Sequence, residues 1–350
     1  HGALAVAAFK EAWRQVVEAE PVLRTLFVWK NRETPLQIVH RAVDLPWQEL
    51  DWRHAPGPDQ QARLDAFLQT DRVQRYDLAE GPLFRLTLIR MESDCYHFVW
   101  SLHHILADGW SVALLLQEAF ARYQALVSGQ TPPPPMRRPY KEYVAWRQQQ
   151  DLAQAEAYWR ETLSGFVAPT PLRSTRAPKT TTEAVTFDVV QRAVPEVTTA
   201  ALQTLAQAHQ ITLNTLMQGA WALLLSRFSG ETDVLFGASV SGRSLSLSGI
   251  DAMVGVFINT VPVRVQADGE QGLLAWLQAL QTSQTEARRH EYTSLRSIQS
   301  WSELSRTQGQ SLFNTILVFG NYPQDGLLTD PNAPLEIRNV RYLEGSHYPL

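Results

Sequence analysis

Two histidines stand side by side at His103-His104, and Asp108-Gly109 follows four residues past the second, with Trp110 and Ser111 behind. An imidazole changes charge near neutral pH, so it can take up or return a proton during a reaction. A loop carboxylate ahead of a helix can cap that helix, pair with an arginine or hold a metal. The metal reading is weak. It needs His104 and Asp108 on one helical face, Gly109 argues against a helix there, and no HisGluxxHis pattern supplies further ligands. A lone strand-end histidine is most often a satisfied core residue, but a tandem pair followed by AspGly points to chemistry. Other catalytic signatures are missing. Gly237-Ala238-Ser239-Val240-Ser241 puts a serine where a nucleophile elbow has its second glycine. Neither GxxxxGK[ST] nor GxGxxG occurs, and the strand context of Cys95 reads as an inert thiol. The chain thus offers a histidine base or proton shuttle without a nucleophile of its own, which suits direct transfer between two bound substrates.

The elements around this stretch must position it. Tyr96–Leu102 (YHFVWSL) is aromatic and β-branched and predicts a strand, with Phe84–Arg90 as its hairpin partner across Glu92-Ser93-Asp94. Alternation along a strand would send the two histidines to opposite faces, one into a cavity and one into the structure. Apolar spacing predicts a helix over 112–126, and others over 2–18, 60–70, 196–208, 215–228 (buried all round) and 272–290. Residues 139–164 read as one or two helices. Strands are predicted over 23–29, 36–39, 185–194, 234–240, 254–265 and 311–319, with strand-like sequence again at 348–350. A Pro-, Trp- and Asp-rich region to Pro58 reads as irregular, and Pro132–Pro135 as a surface connector. The Pro/Thr/Ser-rich stretch 166–182 is the best boundary, dividing the chain into 1–165 and 183–350.

Composition bounds the rest. A chain of 350 residues, 45% hydrophobic and 19% charged, can bury a sizeable core. A net charge of −4 argues against a nucleic-acid binder. The single cysteine excludes an intrachain disulfide framework and fits a reducing cytoplasm. No apolar run approaches the roughly 20 residues of a membrane helix, and the N-terminus lacks a signal peptide's pattern. The absence of an initiator Met reads as a piece of a longer polypeptide.

At this point the residues carry a resemblance. His103–Gly109 matches the HHxxxDG signature of the chloramphenicol acetyltransferase-like acyltransferases. Much of the chain resembles one branch, the condensation domains of non-ribosomal peptide synthetases. Leu23-Arg24-Thr25-Leu26-Phe27 is similar to the end of their RHExLRTxF motif, though Ala19-Glu20-Pro21 stands where Arg-His-Glu is usual. Tyr140–Trp146 resembles YxDFAxW. Gly255–Thr260 with Arg264 resembles GxFVNTxxxR, His290-Glu291-Tyr292 the HQDxPFE region, and Phe313–Pro323 the strand that follows. The family's opening strand and helix, and its last strands and helix, are not found at the two ends.

The resemblance implies an α/β fold of two chloramphenicol acetyltransferase-like lobes in a V, mixed sheets flanked by helices, with HHxxxDG at their interface. It implies peptide-bond formation between a donor acyl or peptidyl thioester and an acceptor aminoacyl thioester. Both would ride on phosphopantetheine arms of upstream and downstream peptidyl carrier domains, with an adenylation domain adjacent and no cofactor bound by the chain itself. An α-amino group has a pKa of about 7.7–8.0, so a fair fraction is free base at neutrality. His104 would accept the ammonium proton of the tetrahedral species, or orient the amine. His103 and Asp108 would fix the loop and Gly109 make room for a substrate arm. Asp108 would pair with Arg243, or secondarily with Arg24. Trp110, Trp146 and Trp159 read as packing, Ser111 as support, and Asn259 equally as a buried amide or a tunnel donor. The rival readings are an epimerisation domain, an acyl-CoA-dependent acyltransferase and a non-catalytic recruitment domain.

Overall fold

The computed structural model describes residues 1–55, 57–132, 138–172, 189–267, 269–306, 311–320 and 335–342. Contacts divide the chain into two compact units, one of residues 1–148, 247–257 and 321–341, the other of 149–246, 258–320 and 342–350. The changeover at 148/149 differs from the expected linker at 166–182, of which 173–182 lie outside the described residues. The stretch is distinctive in composition, but its neighbours pack within the second unit. Arg160 Nη1 donates to Trp301 O at 2.9 Å, and the Thr170 hydroxyl accepts Leu235 N–H at 2.8 Å. The excursion of 247–257 into the first unit left no mark in hydropathy.

The first unit begins with α1 (Val6–Ala19), whose Phe9, Trp13, Val16 and Val17 recur at helical spacing and are all buried. Glu20-Pro21 ends it. β1 (Thr25–Val28) pairs antiparallel with β2 (Leu36–Val39). β3 (Trp47–Asp51) pairs parallel with β4 (Phe84–Arg90), and β4 pairs antiparallel with β5 (Tyr96–Leu102), Phe84 facing Leu102. β3 lies in the region expected to be irregular. Only five residues long, with polar Gln48 and Glu49, it is held by the ladder to β4 rather than by its own propensity. α2 (Gly57–Val73) connects β3 and β4, while α3 (Gly109–Val127) and α4 (Lys141–Gln148) follow the sheet. The core joins Phe9, Trp13 and Val16 of α1 to Leu86 of β4 and to Leu115 and Tyr123 of α3, with Phe98 and Trp100 of β5 packed against it.

The second unit contains α5 (Leu152–Thr162), α6 (Glu196–Ala208), α7 (Leu213–Ser229), β6 (Asp233–Val240), β7 (Asn259–Gln266), α8 (Leu273–Arg288), α9 (Leu295–Trp301) and β8 (Ile316–Leu317). Its sheet has the order β7-β6-β8, with β6/β7 antiparallel and β6/β8 parallel. At Gly237 a β carbon would lie 2.4 Å from Phe313 Cε2, so that glycine serves close packing and not a nucleophile elbow. Four expectations change here. α7 is not buried all round, since Leu223, Leu224 and Phe228 are exposed. The strand expected over 254–265 starts only at Asn259, because 254–257 fold into the first unit. Of 311–319 only Ile316–Leu317 pairs as strand, and 189–194 form none; apolar content without a pairing partner makes no ladder. Residues 133–135, 185–188, 321–323 and 348–350 lie outside the described residues.

Candidate functional site

β5 ends at Leu102, one residue before the histidines, and 104–106 form a turn. Strand alternation therefore does not decide where the two rings go. His103 N–H donates to Leu83 O at 2.9 Å, and Leu106 N–H closes the turn onto His103 O at 3.0 Å. The His103 ring is half-buried, and its Nδ1 accepts Ile105 N–H at 3.1 Å. Nδ1 is then the unprotonated nitrogen and Nε2 carries the hydrogen of the neutral ring. Burial, and next the neighbouring His104, hold the His103 pKa below the ordinary imidazole value. His104 is exposed. One histidine is thus locked by its own turn, and the other is presented by it.

The far end of the turn is fixed by Asp108, which is 3% exposed. Its Oδ1 caps α3 by accepting Ser111 N–H at 2.8 Å, and its Oδ2 accepts Phe257 N–H at 3.0 Å. Asp108 N–H donates to Gly255 O at 3.2 Å. The Ser111 hydroxyl donates to Gly255 O at 2.8 Å and accepts Gly255 N–H at 3.0 Å. Helix start and the 255–257 segment are thereby stitched through both residues, and the Ser111 hydroxyl is occupied with structure. Tyr140 closes the other side, its hydroxyl donating to Val256 O at 2.6 Å and its ring meeting Phe257 edge-on at 5.2 Å. A β carbon on Gly255 would lie 2.1 Å from Tyr140 Cδ2, so only glycine fits there. Tyr143 packs on Phe257 at 4.7 Å and on Trp146 at 6.1 Å. Three sequence motifs, around 103–111, 140–146 and 255–257, meet in one knot.

Gly109 is the first residue of α3 and takes no left-handed conformation; the helix begins right after Asp108. Trp110 is half-buried, and its indole N–H donates to Asp251 O at 2.9 Å. Arg24 does not serve Asp108. Its guanidinium donates to Val17 O at 3.0 Å, Arg41 O at 3.1 Å and His40 O, tying the end of α1 to the segment after β2. Carbonyls close in the fold claim it first.

Arg243 and Asn259 belong to the second unit. Arg243 is buried, and its N–H meets Ser241 Oγ at 3.3 Å. Asn259 Nδ2 donates to Glu291 O at 2.7 Å and Thr293 O at 2.6 Å, while its Oδ1 accepts Thr260 N–H at 2.9 Å. Both polar ends of the amide thus have backbone partners within the second unit. Trp159 is fully buried beside Tyr158 at 4.9 Å. His290 stacks on Tyr158 at 4.6 Å, and burial lowers its pKa. Among the described residues no three His, Cys, Asp or Glu side chains gather where they could hold a metal ion, and no helix is long and apolar enough to cross a membrane.

Residues that sequence reasoning did not place in the site are Gly255, Phe257 and Tyr140 in the knot, and Tyr76 and Arg85 behind His103. The first three sit inside motifs already noted, so the signal was present, but the contacts between distant motifs were not in it.

The family model described as Condensation domain matches residues 1–343. One of the proteins that make up the linear gramicidin synthase of Brevibacillus parabrevis is 42% identical over 98% of this chain, which spans 4% of that protein. Chondramide synthase of Chondromyces crocatus is 41% identical over 100% of this chain, which spans 9% of it. The chain therefore covers only a small part of the length of these curated relatives. The starter condensation domain of rhizomide synthetase, crystallised as a double mutant with C8-CoA and Leu-SNAC, aligns with a TM-score of 0.73 at 25% identity, over 91% of this chain and 70% of that one. The first condensation domain of the calcium-dependent antibiotic synthetase aligns with a TM-score of 0.74 at 18% identity, over 93% and 75%, a likeness of fold alone. The expected chloramphenicol acetyltransferase-like α/β fold, mixed sheets flanked by helices, is the fold found. A family match from the first residue to 343, joined to relatives above 40% identity along the whole length, establishes that the chain belongs to the condensation-domain family.

Proposed function

We propose that this domain joins a donor acyl or peptidyl thioester to the amine of an acceptor aminoacyl thioester, both held on phosphopantetheine arms. The arms belong to upstream and downstream carrier domains, with an adenylation domain beside them and the assembly in the cytoplasm. The observation that carries this reading is the contrast between the histidines: His103 is locked through its Nδ1, while His104 is exposed on the same pinned turn. The relatives' names, synthases of linear gramicidin and chondramide, support the substrate class.

The amine attacks the thioester carbonyl, the new C–N bond forms, and the C–S bond breaks as the tetrahedral species collapses. The ammonium proton passes to His104 and the leaving thiolate is protonated in turn. No covalent enzyme intermediate is needed, in keeping with a Ser111 hydroxyl spent on Gly255. Asp108 and Ser111 act by holding the turn, and Arg243 enters as a support residue by motif likeness.

The test is mass spectrometry of the acceptor arm after mixing the full-length protein with loaded donor and acceptor carriers. Amide product should form from carriers and not from free acyl-CoA, without racemisation of a carrier loaded alone. His104→Ala should lower the rate by about 10²–10⁴-fold with the fold intact. A rate equal to the parent's would sink the assignment of His104.

A further inference from the structure

Behind His103 lies a closed loop of contacts that the proposed reaction does not use. The Tyr76 ring meets the His103 ring edge-on at 6.0 Å and 79°. Over the Tyr76 ring sits the Arg85 guanidinium, 4.3 Å from its centre. Arg85 Nε donates to Asp71 Oδ1 at 2.9 Å, and Nη2 to Asp71 O at 2.9 Å. The other carboxylate oxygen of Asp71 accepts the Ser101 hydroxyl. The Tyr76 hydroxyl donates to Ser101 O at 3.0 Å, two residues before His103. The loop runs Asp71, Arg85, Tyr76, Ser101 and back to Asp71, joining the end of α2 to β4 and β5. It is well screened from water: the side chains of Arg85 and Asp71 are 21% and 14% exposed.

We propose that Tyr76, backed by Arg85 and Asp71, is a positioning residue that sets the plane of the His103 ring and the path of the turn presenting His104. Among the described residues the His103 ring has one hydrogen bond, from Ile105 N–H to Nδ1, which locks the place of Nδ1 and leaves the tilt of the ring about that bond to a second contact. Tyr76 supplies the second constraint. It holds the end of β5 through Ser101 and the ring through its edge, so strand end and imidazole move together. Arg85 keeps Tyr76 from turning away, and Asp71, through one carboxylate oxygen and its own backbone carbonyl, holds the planar guanidinium over that ring. The inference rests on His104 being the reacting histidine, but its first readout does not.

The experiment uses the full-length protein, with carbethoxylation of histidines by diethyl pyrocarbonate followed peptide by peptide in mass spectrometry. Tyr76→Leu should raise the His103 modification rate several-fold. Tyr76→Phe, which keeps the ring, should return it close to the parent's. In single-turnover assays with loaded carriers, Tyr76→Leu should lower the maximal rate about tenfold with little change in half-saturation by the acceptor carrier, and Phe should rescue most of it. Should Tyr76→Leu not fold, Arg85→Met, one step further from the ring, is expected to shift both readouts in the same direction by less. Unchanged His103 reactivity in Tyr76→Leu, or in Arg85→Met where that is the variant that folds, overturns the proposal. If His104→Ala keeps the parent's rate while Tyr76→Leu still exposes His103, the assignment of His104 falls and the positioning contact stands.

Discussion

The two oxygens of Asp108 hold two different backbones: Oδ1 takes the N–H of Ser111 in its own helix, and Oδ2 takes the N–H of Phe257, 149 residues away in sequence. Asp108→Ala removes the cap of α3 and leaves the Phe257 amide buried without an acceptor. The two losses together should cost about 2–4 kcal/mol. Asp108→Asn keeps a carbonyl acceptor and should recover part of it. Denaturant melts of the two variants beside the parent check this, and a fully stable, inactive Asp108→Ala would argue instead for a direct part in the chemistry.

Gly255 and Tyr140 should show strong coupling. A methyl at 255 meets the Tyr140 ring 2.1 Å from Cδ2, too close to absorb without movement of a ring that is itself bonded to Val256 O. Gly255→Ala should therefore destabilise by about 1–3 kcal/mol or more. In Tyr140→Leu the same change should be much milder. A double-mutant cycle in denaturant measures the difference, and additive effects would show that the segment simply shifts aside.

What the sequence made legible follows from which forces are local. β4, β5 and α6 were readable because their apolar and β-branched patterns are strong over seven residues or more, and the HHxxxDG stretch because its residue types are rare together. β3 was not, since its partner β4 lies more than thirty residues on and its own sequence is half polar. The path of 247–257 was not, since hydrogen bonds from Asp108 and Ser111 place it, and pairwise bonds at that separation leave no periodicity. The same holds for Arg24, whose carbonyl partners at His40 and Arg41 are properties of the fold.

Acid should weaken the fold through histidines that are buried or half-buried. His103, His290 and His97 all hold pKa values below the ordinary imidazole value, and burial is the leading cause in each. The unfolded chain then binds protons that the folded chain refuses, so stability is full above a pH of about 6.5 and falls as pH drops through it. Each such group can contribute a slope of at most about 1.4 kcal/mol per pH unit. His290→Phe keeps a ring on Tyr158 and removes the titration, and no hydrogen bond is lost at its buried Nδ1. Urea midpoints between pH 7.5 and 5 should give a shallower slope for that variant. An identical slope would mean that His290 is charged in the folded protein.

Asn259 should matter for the shape of the second unit more than for the chemistry. One amide nitrogen serves two carbonyls, Glu291 O and Thr293 O, and so pins the 290–293 turn to the first residue of β7. Asn259→Ala orphans both and should cost about 2–4 kcal/mol. Asn259→Asp should be worse than alanine at neutral pH, because it places a carboxylate against two carbonyl oxygens with no hydrogen to share. Limited proteolysis is the sharpest check, since loss of the pin should open the chain near 290–293 before the rest unfolds. If Asn259→Ala instead keeps the parent's melt and cleavage pattern while losing activity, the amide faces substrate and the structural reading of it is wrong.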